Sequence, residues 1–184
     1  MIPPAPARRS RALAALALLA AACPLPQPLT DVPRTPGTAI PPPRILTDSI
    51  SPVDTVIPVA RGCPGGASFV LRATVHDDTV LEQVDARWFV DYAPDPLNAR
   101  PYHVDALAPP DDPNQLDRPL PPLTLQLPAS DTAALHVTEL VVSNGFYVLD
   151  DPAAPLRNRS AQPGFEAQVF RWVFSYVDAG GRCQ

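Results

Sequence analysis

The side chains able to do chemistry are few and widely spaced. They are His76, His103 and His136, the cysteines Cys23, Cys63 and Cys183, and the oxygen-rich loop PPDDPNQLDRP with Asp111, Asp112, Asn114 and Asp117. His76 directly precedes Asp77-Asp78 at a predicted strand end, a set that reads either as a ligand cluster or as a solvated turn. The loop supplies oxygens of the kind Ca²⁺ takes, yet it lacks the Gly and terminal Glu of an EF-hand loop. No two histidines stand at metal-motif spacing. A serine nucleophile would need a context such as Gly-x-Ser-x-Gly or Ser-x-x-Lys; neither occurs, and the chain has no Lys at all. No pair of carboxylates is set among apolar residues in a way that would raise a pKa for acid–base work. The reading assigns no catalytic residue, no cofactor and no metal site, and expects a protein that is not an enzyme.

The elements that must carry these residues read as strands. In the run from Ser68, Phe69, Leu71, Ala73 and Val75 share one face. In the next, Val84, Ala86, Trp88, Val90 and Tyr92 point one way, with Asp85, Arg87, Phe89 and Asp91 opposite. Leu123, Leu125 and Leu127 make a short third. In ALHVTELVVSN, Leu135 and Val137 are out of phase with Leu140 and Val142, and a one-residue bulge near Thr138-Glu139 would bring all four to one face. The final run places Phe170, Trp172, Phe174 and Tyr176 on one side and Val169, Val173 and Val177 on the other, so it should be covered on both. That aromatic row could bind sugar or peptide, although such a stripe is more often core. No convincing helix is present, and short strands between Pro, Asp, Asn and Gly loops predict an all-β, antiparallel sandwich.

Composition narrows the partners. About half of the 27 prolines precede Gly65, so the chain changes character along its length. Without Arg8, Arg9 and Arg11, eleven Arg face nineteen acids, a net charge of about −8 that disfavours nucleic acid. Residues 1–22 hold a basic cluster, then the apolar run ALAALALLAAA, the order of a signal peptide; eleven residues are too few to span a bilayer, and Pro24, Pro26 and Pro28 prevent its extension. From Pro24 to about Arg61 no period is sustained, which predicts an extended tether reaching roughly 100 Å at about 3.1 Å per residue. Within it Asp54–Ala60 could be an edge strand, since Pro58 is tolerated only at an edge.

Two resemblances follow. Leu19-Ala20-Ala21-Ala22-Cys23 resembles a bacterial lipobox, with Ala20 where Leu or Val is usual, and implies lipidation of Cys23 and a place in the cell envelope, the outer membrane or the cell surface; cleavage after Ala22 without lipidation would instead give a secreted protein. With Cys23 so used, Cys63 and Cys183 remain as an even pair in an oxidising compartment and are expected to be bonded, the alternatives being separate buried thiols or a metal pair. In a bacterial chain the sequon Asn158-Arg159-Ser160 reads as coincidence. The run Leu127 to Val137, with Asp131-Thr132-Ala133, resembles the stretch of immunoglobulin-like domains that precedes the corner tyrosine and second core cysteine, and the Trp88 strand resembles the one carrying the core Trp. Leu135 stands in the tyrosine's place and Val137 in the cysteine's, so Trp88 is expected to pack on Leu71 or Ala73, Val137 and Val173.

The organisation expected is a signal peptide over 1–22, a lipidated Cys23 and tether over 23–61, and an immunoglobulin-like sandwich over 62–184. Its expected role is non-enzymatic: presentation of a module for protein binding or envelope assembly, membrane-held through Cys23. A carbohydrate- or small-ligand-binding accessory domain is the second class, and a secreted hydrolase or metalloenzyme the third.

Overall fold

The computed structural model describes residues 41–95, 99–129, 133–151 and 156–178. Cys23, Cys183, Asp131 and Thr132 lie outside these residues. Ten strands follow in order: β1 Arg44–Ile45, β2 Val56–Arg61, β3 Ala67–Leu71, β4 Thr74–His76, β5 Val84–Val90, β6 His103–Leu107, β7 Asp117–Pro119, β8 Leu123–Leu127, β9 Leu135–Ser143 and β10 Gln168–Asp178. They form a five-stranded sheet β2-β10-β9-β5-β6, a three-stranded sheet β1-β4-β7 and the pair β3-β8. Every pairing is antiparallel except β2 with β10. No described helix is long and apolar enough to cross a membrane.

Period-two alternation creates the core. Leu71, Ala73 and Val75, then Leu123, Leu125 and Leu127, meet Val84, Ala86, Trp88, Leu140, Val142, Trp172, Phe174 and Tyr176 of the larger sheet in one buried cluster. The long run from Ser68 divides into β3 and β4 because its partner strand gains a residue there. Leu71 pairs with Leu123 but Thr74 with Pro119, so three steps on one side match four on the other. Residues 44–61, read from sequence as the far part of the tether, are paired: β1 lies on β4, and β2, the edge strand suspected at Asp54–Ala60, lies beside β10. Ile45, Ile50, Ile57 and Val59 thereby join the core.

Three expectations are corrected. Strand β9 has no bulge, since its pairing with β10 runs unbroken from Leu135↔Ser175 to Val142↔Gln168. Leu135 and Val137 therefore stay on the face opposite Leu140 and Val142. For the same reason of parity Val137 and Val173 do not touch the core, and Trp88 instead stacks on Trp172, ring centroids 5.8 Å apart and planes at 22°, while its Nε1 donates to Asp105 at 3.0 Å. Val137 thus faces away from the core, although the position resembling that of the second cysteine should face into it. Finally, the outer valines of β10 are not covered: Val169 is 37% and Val177 45% exposed.

Candidate functional site

Two features outside the core invite a functional reading: a polar cluster on His76 and the outer face of the five-stranded sheet.

The pairing of β4 with β7 sets His76 opposite Asp117, which joins the His-Asp-Asp turn to the oxygen-rich loop although the two are 41 residues apart. His76 Nδ1 lies 2.6 Å from Asp117 and Nε2 3.2 Å from Asp78. Asp78 also receives Arg44 of β1 at 3.1 Å. The bond to Asp117 raises the His76 pKa above its ordinary value, with partial burial opposing and Asp78 assisting. Asp77 does different work. It is buried, accepts Arg118 Nη2 at 2.9 Å and the amide of Thr79 at 3.0 Å, and so ties the turn down. In the loop, Asp112 is occupied by the amide and side chain of Asn114. Among the described residues no three His, Cys, Asp or Glu side chains are arranged to hold a metal ion. His103 pairs with Asp105 at 3.1 Å and His136 with Asp91, each away from the His76 cluster. Asn158 of the sequon is buried, and its Oδ1 accepts the amide of Asp150.

The outer face of the sheet is divided in two. Over β5 and the far half of β9 the residues 144–151 and 156–165 fold back as a cap, closed by the Phe146↔Ala161 bridge and the bond from Gln162 N to Gly145 O at 2.7 Å. Beneath it Phe89, Val141 and Phe146 form a second buried cluster with Tyr92 against it. Arg87 is buried there too, donating to the carbonyls of Asn158 at 2.6 Å and Tyr147 at 2.8 Å under the Phe146 ring. Burial pulls its pKa below the ordinary value, against an opposing pull from Asp85. Glu139 accepts both Arg159, at 2.7 Å, and Arg171, and closes the cap's border. Phe89 lies on the face opposite Trp88, as alternation predicts, and that face is covered here by the chain itself. The available signal was the pair Phe146-Tyr147 inside an apparent loop: aromatic residues there need something to cover.

Among the described residues no comparable cap lies over the rest of that face. Along β2, β10 and the near half of β9 lie Val56 at 59%, Leu135 at 49% and Val177 at 45% exposure, with Pro58, Val137 and Val173 between them. Their registers, Val173 opposite both Val56 and Val137, and Ser175 opposite both Pro58 and Leu135, make the strip continuous. The aromatic row of β10, by contrast, is core, and no exposed aromatic platform for a sugar stands on either face of that strand. The strip can therefore bury apolar surface against another macromolecule. No protein-family model matches this sequence, and no curated protein matches it.

Proposed function

We propose that this protein is a non-enzymatic lipoprotein of the bacterial cell envelope whose immunoglobulin-like β-sandwich binds another protein through the bare strip of β2, β10 and β9. The immunoglobulin-like reading is supported by topology. Strand β1 pairs with β4 in one sheet, and β2 then runs parallel to β10, the last strand, in another. The fully buried Trp on β5, an interior strand of the order β2-β10-β9-β5-β6, is consistent with it. The lipid anchor on Cys23 rests on the lipobox-like residues alone.

The observation that carries the binding role is the contrast on one sheet face, where the chain caps half of the apolar surface and leaves Val56, Leu135 and Val177 in water. A photo-crosslinking residue at Val177, in the full chain in the producing cell, should give discrete protein adducts that Val173→Arg abolishes. The same residue at Thr124, on the exposed side of β8, is the control; identical adducts from both positions would sink the proposal. Fractionation tests the anchor separately: Cys23→Ser should move the protein from membrane to soluble fractions, and an unchanged distribution would remove the anchor from the reading.

A further inference from the structure

A strand at the end of a sheet presents unpaired amides and carbonyls to any extended chain alongside, unless proline, lysine or an inward charge deters it. The five-stranded sheet ends in β2 and β6. The β2 edge holds Pro58, which has no N–H to donate. The β6 edge, His103–Leu107, differs. Pro101 and Pro109 flank it, but no proline or lysine lies within it, and among the described residues it pairs with β5 alone. Its one inward charge is already held: Asp105 is buried, accepts Trp88 Nε1 at 3.0 Å and lies 3.1 Å from His103 Nε2. The outward side chains are exposed and apolar, Val104 and Ala106, with exposed Tyr102 just ahead of the strand. Val104 is opposite Arg87, which reaches the Tyr147 carbonyl, so the cap with its exposed Val148 ends beside this edge.

The strand is complementary to itself. Two copies pairing antiparallel here, with their core faces kept on the same side, must share a two-fold axis through one residue, because side chains alternate between faces. With the axis at Val104, His103 of each copy falls opposite Asp105 of the other, Val104 meets Val104, and Tyr102 falls opposite Ala106, large against small. With the axis at His103 two histidines oppose each other, and at Asp105 two carboxylates do. Opposite charges directly across a strand pair stabilise it and like charges destabilise it, so the side chains select the Val104 register.

We propose that the free edge of β6 docks a second copy of this chain, the two β6 strands pairing antiparallel about Val104 to join the five-stranded sheets of both copies into one. The interface is isologous, each copy using the same residues. Each Asp105, already bound to Trp88, gains the His103 of the other copy, and the two Val104 side chains leave water together. This edge lies at the opposite end of the sheet from β2, where the binding strip begins, so neither reading depends on the other.

The full chain carrying Cys23→Ser, which keeps a lipid from driving association, should sediment as a dimer. Val104→Arg sets two guanidinium groups against each other on the axis and should leave a monomer at the same concentration; because Val104 is exposed, circular dichroism and the melting curve should stay as they were. A short bifunctional thiol reagent reads the register and keeps the test decisive if the Arg variant misfolds. Val104→Cys should crosslink to its own mate. Ala106→Cys stands four residues from its mate across the axis, about 13 Å along the strand, and should react at least about tenfold more slowly. A monomer before any change at Val104, a dimer that survives Val104→Arg, or crosslinking as fast at Ala106→Cys or at Thr124→Cys on β8 would overturn the pairing.

Discussion

The capped and bare halves of one sheet face differ less in composition than in what lies over them. Phe89 and Val141 on one side, and Val56, Leu135 and Val177 on the other, all occupy outward positions of alternating strands. Phe89 and Val141 are fully buried; the other three are half exposed. The cap also draws charge inward: Arg87 and Glu139 are buried, each held by bonds to residues of the excursion or its border. On the bare half no comparable polar group is trapped among the described residues. The lesson is that a strand's outward face is defined by the chain that returns to cover it, so apolar outward residues signal either a cap or a partner. Here one face carries a capped half and an exposed half.

The largest effect that would break this comparison is at Phe89. Phe89→Ala should cost about 3–5 kcal/mol in a urea titration, while Val177→Ser, on the bare half, should change stability by no more than about 0.5 kcal/mol. Equal costs at the two positions would mean that the cap does not shield the face as described. A large cost at Phe89 would not impugn the alternation, because Trp88 and Phe89 do lie on opposite faces and both are covered.

A smaller loss is expected at the border. Glu139→Gln removes the charge shared by Arg159 and Arg171, whose own side chains are partly solvated at 26% and 58%. The expected cost is about 1–2 kcal/mol, below that of a fully buried pair because water reaches both guanidinium groups. Faster hydrogen exchange confined to the cap's amides, with the core strands unchanged, would mark the loss as local; a global loss equal to that of Phe89→Ala would show the cap to be no separate layer.

The smallest effect belongs to His76, remote from both halves. Its folded pKa is raised, chiefly by Asp117, so protonation favours the folded state. The resulting stability is fully present below about pH 6.5, the unfolded value, and is lost as pH rises through the higher folded value. Because Asp78 and Asp117 are substantially exposed at 46% and 60%, the contribution should stay below about 1 kcal/mol. Urea midpoints at pH 5.5 and 8.5 should differ less in His76→Gln than in the unmodified protein. A variant as pH-dependent as the original would remove His76 from the account.

Several features were legible from residue order alone because they depend on local alternation. Leu123, Leu125 and Leu127, the set Val84, Ala86 and Trp88, and the aromatic row of β10 all point inward as their period requires. Pro58 marked β2 as an edge because a missing N–H is a local fact.

Tertiary structure alone decided what depends on distant pairing. The excess residue between β7 and β8 that ends β3, the meeting of His76 with Asp117, and the return of Phe146 over Phe89 join segments tens of residues apart. Alternation states which residues share a face, and nothing in a period of two says what will cover that face. The covering is set by loop paths and by which buried polar groups find partners: Arg87 Nη1 and Nη2 find theirs only because the carbonyls of Asn158 and Tyr147 come back to them.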